Sequence, residues 1–181
     1  MAENPSSPDQ SELTQVAGPI VIETDQPGLV LVEMLGIEDD EKVLNFQNRD
    51  ADHIKEFGNT IFSSVEEVTS KRLEMGGQRF WIRKDGVDVG WEGYGVSEDG
   101  KTAEVGIIIA EDASGHGYAT SAVKAITKHI EPDFEDVIAE ARADHGASIA
   151  VLKKSGYEAY RENAPREWAG EAGAVVLKYA K

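Results

Sequence analysis

The sequence predicts an α/β (α+β) protein in which a mixed sheet carries helices on its faces. Three observations lead there. The apolar period is helical over residues 37–75, becomes strand-like over residues 78–110, and then alternates between helix and strand to the end. The strand-like stretch is interrupted by "KDG" and "SEDGK", turn sequences that join adjacent antiparallel strands. After Gly117 the order helix, strand, helix, strand, strand brings helices onto a sheet that already holds a meander.

Residues 1–17 are rich in Pro, Ser, Asp, Glu and Gln and read as a flexible acidic tail, which leaves 18–181 as one domain. Order is expected to begin near "GPIVIET", and "GLVLVEML" (28–35) reads as a strand. Residues 37–58 form one or two helices with Val43, Leu44, Phe46, Ile54 and Phe57 inward, stopped by Gly58. "SSVEEVTSKRLEM" is a third helix. Ser63 or Ser64 caps it, Glu66 or Glu67 completes a capping box, and Val65, Val68, Arg72 and Met75 share a face. Three β-runs follow as a meander. "YATSAVKAITKHI" then aligns Ala119, Ala122, Val123, Ile126 and Ile130 on one stripe before Pro132 ends the helix. "DVIAEAR" is a strand, "GASIAVLKKS" a short helix closed by Gly156, and "YEAY" and "AVVLKYA" are the last strands. No internal repeat is found.

Composition narrows the function. At 181 residues the chain supports one ordinary core, and with no cysteine it has neither a disulfide framework nor a thiolate nucleophile or metal site. No apolar run approaches a membrane span, and the polar opening stretch lacks the pattern of a signal peptide, so a soluble cytoplasmic protein is expected, with no membrane partner. The net charge of −16 argues against a nucleic-acid partner and suits a cationic ligand. Residues 1–60 hold 13 Asp/Glu against 3 Lys/Arg. That excess serves either a solvated, salt-adapted surface or the steering of a substrate.

"EDASGHGYAT" (111–120) is the stretch with chemistry in it. A strand ending at Ile109 or Ala110, a turn with Gly115 and Gly117, and a helix starting near Tyr118 aim free backbone N–H groups at one spot. Such a site holds an anion without a basic side chain, and Glu111 and Asp112 must then point to solvent. An ordinary tight turn is the plainer reading. A dinucleotide fingerprint fits less well, because Thr120 stands where the third glycine belongs and one strand–helix unit alone follows, although Glu140 falls near the usual acidic position.

"AEVGIIIAEDASGHGYATSAVKAI" followed by "VIAEARADHGASIAVLKKSGYEAY" resembles the acetyl-CoA-binding core of the GNAT N-acetyltransferases, in particular their RimJ/RimL-like branch. The likeness rests on Gly115, Gly117, Tyr118, Ala119, Thr120 and Ala122, then Ser148, Leu152, Lys154, Gly156 and Tyr157. It spans residues 28–181 and is strongest over 104–157, while "NRDADHIKEF" resembles the branch's first helical region. The resemblance implies a mostly antiparallel central sheet with two splayed parallel strands that admit the pantetheine arm, and helices on both faces. It implies direct transfer of an acyl group from acyl-CoA to an amine, with acetyl-CoA the expected co-substrate. Backbone at Ile108 and Ile109 would hold the pantetheine amides. Ser114, Gly115, His116, Gly117, Tyr118 and Ala119 would cradle the pyrophosphate, helped by the hydroxyl of Thr120. His145 stands at the branch's usual asparagine, a cofactor contact; Asp112 and His116 replace more favourable polar or basic residues; Leu152 replaces the tyrosine that many relatives use as general acid.

Attack of an amine on a thioester needs a proton acceptor and a stabilised leaving thiolate. Ser148, at the branch's serine position, is the candidate for the thiolate, or else a helix cap. Glu104 and Glu92, on successive strands, are the candidate bases, with Glu140 a third. If Val105, Ile107 and Ile109 form the core face, Glu104 faces solvent. His53, His116, His129 and His145 show no metal-ligand spacing, and Trp81, Trp91 and Trp168 read as core or pocket wall. In the GNAT fold the early helices wall the acceptor groove, so the acidic first third favours a protein N-terminus, a polyamine or an amino-sugar. A homodimer is compatible with the resemblance. The rival reading is a catalytically silent acyl-CoA-binding module, motivated by His145 and by the absence of a secure base.

Overall fold

The helical period of the first third folds onto one side of a sheet whose middle is the meander. The computed structural model describes residues 18–56 and 61–181, so the N-terminal tail, Phe57 and Gly58 lie outside the described residues. A short strand β1 (Val21–Glu23) pairs antiparallel with β2 (Leu29–Glu33), adding a strand at the point where order was expected to begin. Helices α1 (Ile37–Arg49), α2 (Ala51–Glu56) and α3 (Val65–Met75) follow. Val43, Phe46 and Ile54 are buried as expected, and Leu44 is half-buried.

Ser64 caps α3 by accepting the Glu67 N–H, while the Glu67 carboxylate accepts from the N–H and hydroxyl of Ser63 rather than closing the box on Ser64. Gly76, at φ 66°, ends that helix in the left-handed region. The meander is β3 (Arg79–Lys84), β4 (Val87–Val96) and β5 (Thr102–Ile109), with Asp85 and Gly86 both at positive φ in the first turn. Helix α4 (Tyr118–Ile130) buries Ala122, Val123, Ile126, Thr127 and Ile130. Ala119 stays half-buried, and Thr127 takes its place in the buried stripe through a 2.7 Å hydrogen bond with Tyr157. Strand β6 (Asp136–Arg142), helix α5 (Gly146–Lys154), β7 (Tyr157–Ala164) and β8 (Ala174–Tyr179) complete the chain, β7 running four residues beyond the expected "YEAY".

The eight strands form one sheet in the order β1-β2-β3-β4-β5-β6-β8-β7, antiparallel except for β5–β6. Two cores sandwich it. Leu29, Leu31, Phe80, Ile82, Val105, Val137 and Leu177 pack under α4 and α5. Met34, Trp81 and Ile108 pack with Val43, Phe46, Ile54 and Val68 of α1–α3 on the other face.

A charged network fastens that second layer. The fully buried Asp40 of α1 accepts from Thr69 (2.8 Å) and Arg72 (3.0 Å) of α3 and pairs with the buried Arg79 of β3. Among the described residues, no helix is long and apolar enough to cross a membrane.

Candidate active site

Strand parity decides which side chains meet. On β5, Ala103 and Val105 are buried against α4, so Glu104 and Gly106 face the α1–α3 side and are exposed there, as the parity argument required. Ile108, on the same face, is buried against Trp81 and Trp91. The β5–β6 ladder runs from Thr102↔Asp136 to Val105↔Ala139 and stops, although β5 continues to Ile109 and β6 to Arg142. Beyond that point β6 keeps β8 as its neighbour and β5 keeps β4. The backbone groups of Gly106–Ile109 that face β6 are therefore left without a strand partner. This open edge carries the two isoleucines, Ile108 and Ile109, expected to hold an extended amide-bearing arm.

At the end of that edge, Glu111–Ala113 form a single helical turn, and Glu111 and Asp112 are both exposed, as expected. The Glu111 N–H donates to Asp50, and Asp112 lies within electrostatic reach of Arg49. Gly115 and Gly117 adopt φ 81° and 79°, a region that side chains strain to reach, and a Cβ on either would enter open space. Helix α4 makes its first backbone bond from Ser121 N–H to Gly117 O, so the N–H groups of Tyr118, Ala119 and Thr120 precede the ladder and have no acceptor in it. Those donors and the helix dipole suit an anion. His116 stacks on Tyr118 with centroids 5.4 Å apart, and its Nδ1 lies 3.2 Å from the Ala113 carbonyl. The Ser114 hydroxyl donates to Ala110 O, and Thr120 O accepts from Ser155.

His145 is the N-cap of α5, its Nδ1 accepting the Ser148 N–H at 3.2 Å. An imidazole nitrogen thus supplies the acceptor that caps this helix. Ser148 lies inside the first turn rather than at the cap, half-buried, and its hydroxyl makes no hydrogen bond among the described residues. Leu152 is buried in the main core.

The candidate bases separate. Glu92 pairs across from Ile107 and points into the core beneath α4; it is fully buried, both oxygens lack a partner among the described residues, and burial pushes its pKa well above the usual carboxyl value. Glu104 stands on the opposite face. Crowding by the surrounding protein raises its pKa, the Glu140 carboxylate raises it further, and Arg166 and Lys71 pull the other way. Glu140 is bound by Arg166, whose Nε donates at 2.7 Å. The site thus joins Glu104 and Glu140 but not Glu92. Sequence reasoning missed Arg166: it follows β7, far from the glycine turn in the chain, and no local pattern marks it. Of the tryptophans, Trp81 is core, bonded from Nε1 to Asp39, while Trp168 is partly exposed in the β7–β8 connection.

A family model described as "Acetyltransferase (GNAT) domain" matches residues 25–158. A comparison with curated proteins found no match. Among solved structures, the chain resembles the Salmonella typhimurium acetyl transferase that modifies the N-terminal serine of ribosomal protein L7/L12, at TM-score 0.72 and 16% identity, over 88% of this chain and 98% of that one. It resembles Mycobacterium smegmatis RimJ in complex with CoA-disulfide at TM-score 0.69 and 20% identity, over 88% and 85% of the two chains. The structure of AAC(6')-Ib with ribostamycin and coenzyme A aligns at TM-score 0.68 and 16% identity, over 83% and 92%. These likenesses establish a common fold.

Proposed function

The chain belongs to the GNAT acetyltransferase family, and from that premise we propose that it transfers the acetyl group of acetyl-CoA directly to a primary amine of a cationic acceptor, such as a protein N-terminus. One observation carries the reading. The parting of β5 from β6 leaves an open backbone edge between Glu104, the candidate base, and the glycine turn, whose free N–H groups suit an anion.

The residues present fit acetyl-CoA. Open space before Gly115 and Gly117 and the free N–H groups of Tyr118, Ala119 and Thr120 suit a pyrophosphate, and the edge of Gly106–Ile109 suits an amide-bearing arm. Acetyl-CoA supplies an acyl group on a sulfur leaving group. Glu104 accepts the first proton that the acceptor ammonium must lose; the neutral nitrogen then forms the C–N bond as the C–S bond breaks, and the second proton it sheds ends on the departing thiolate as free CoA thiol. Ser148, with its unengaged hydroxyl, donates to the departing thiolate. The net charge of −16 supports a cationic acceptor, since an acidic surface raises its encounter rate.

The test is release of free CoA thiol from acetyl-CoA over basic peptides, polyamines and aminoglycosides. Acceptor-dependent release is expected, with kcat/KM falling as salt rises. Tight acetyl-CoA binding without release across the panel would replace this reading with a silent acyl-CoA-binding module.

A further inference from the structure

The proton acceptor does not stand alone. The β5–β6 register opposes Glu104 to Ile138, so Glu140, two residues on, lies on the same face of the sheet. Glu140 is only 6% exposed, and both its oxygens are taken by one guanidinium: Arg166 Nε donates to one at 2.7 Å and Nη2 to the other. The Glu104 carboxylate itself has no hydrogen-bond partner among the described residues. Its setting is made first by the surrounding protein and then by charges that reach it without a hydrogen bond.

Those charges come from three separate elements. Beta-strand β6 brings Glu140, the β7–β8 connection brings Arg166, and α3 brings Lys71, which also pairs with Glu74 at 3.2 Å. Strand β4 places Gly95 opposite Glu104 and adds no charge there.

We propose that Arg166 is a positioning residue that acts through Glu140: docked on that buried carboxylate, it fixes the charge facing Glu104 and so sets the pH at which Glu104 can take a proton from the acceptor. This rests on the reading of Glu104 as the base. The physical reason is the sign of what each change leaves behind. Without Arg166, a poorly solvated carboxylate faces Glu104 uncompensated and disfavours a second negative charge. Without the Glu140 carboxylate, the guanidinium acts alone and favours the ionised form. Because Arg166 belongs to the connection between β7 and β8, the strength of the base is coupled to whether that segment is docked.

The experiment is a 13C NMR titration of the Glu104 side-chain carboxyl, assigned by its loss in Glu104→Gln, beside the pH profile of kcat/KM for any acceptor the thiol assay identifies. Arg166→Gln should move the midpoint to higher pH and Glu140→Gln to lower pH, the acid limb of kcat/KM moving with each. Arg166→Lys should stay near the parent, and Arg166→Gln/Glu140→Gln should return toward it. A merely structural pair predicts something else: both single variants alike, the double variant the worst, or no movement of the midpoint, and any of these overturns the proposal. Opposite shifts in a protein that acetylates nothing would uphold the coupling and count against the proposed function alone.

Discussion

Glu92 and Glu104 are the same residue type on adjacent strands, yet the two faces of the sheet make them different objects. Glu92 points into the layer under α4, fully buried, with both oxygens unpartnered among the described residues. Glu104 points into the layer of α1–α3, where the β5–β6 ladder ends and Gly106 leaves open space beside it. Both carboxyls hold their protons above the ordinary range, Glu92 through complete burial and Glu104 through crowding by the surrounding protein and then the Glu140 carboxylate. A raised carboxyl is a useful base only where an acceptor can reach it, so the lesson lies in access rather than in acidity.

The sharpest way to break this contrast is to remove each carboxylate in turn. Glu104→Gln is expected to lower kcat/KM by about 10²–10⁴-fold with acetyl-CoA affinity unchanged. If Glu92→Gln costs turnover as much, the distinction between faces fails. The α1–α3 layer depends on its charged anchor, and Asp40→Ala, which leaves Arg79 buried without its counter-charge, should cost about 3–5 kcal/mol in chemical denaturation. Little change there would mean that packing alone holds the layer.

On the sealed face the sign reverses. Glu92→Met removes two unpartnered oxygens and should stabilise the protein by about 1–3 kcal/mol. The folded chain keeps the Glu92 proton above the ordinary value of 4.5 while the unfolded chain releases it there, so parent stability falls as pH rises above that value until the folded pKa is passed. The advantage of Glu92→Met should therefore be larger at pH 8 than at pH 5; a gap independent of pH would remove Glu92 as its source. Last, Gly117→Val strains a left-handed position and fills the cradle, and a rise of about tenfold or more in the Kd for acetyl-CoA is expected by calorimetry. Unchanged affinity would detach the glycine turn from the cofactor.

Much of this was legible in the chain. The switch of period, the turns at "KDG" and "SEDGK" and the stripe of α4 identify the elements, because each depends on neighbours within a few residues. The glycine turn and its open backbone were legible for the same reason: positive φ at Gly115 and Gly117 is a local requirement. Strand parity even framed the choice for Glu104 correctly, though it could not say which parity was core.

By itself, then, the sequence determined the elements apart from β1, their order, the mixed character of the sheet and the glycine turn with its free backbone donors, all set by short-range sterics and periodicity. The tertiary structure decided the rest. It placed Glu92 and Glu104 on opposite faces, made His145 rather than Ser148 the cap of α5, and brought Arg166 across to Glu140 from 26 residues further along the chain. Those relations are decided by which strands become neighbours and where one ladder ends, and contacts between distant segments leave no periodic trace along the chain.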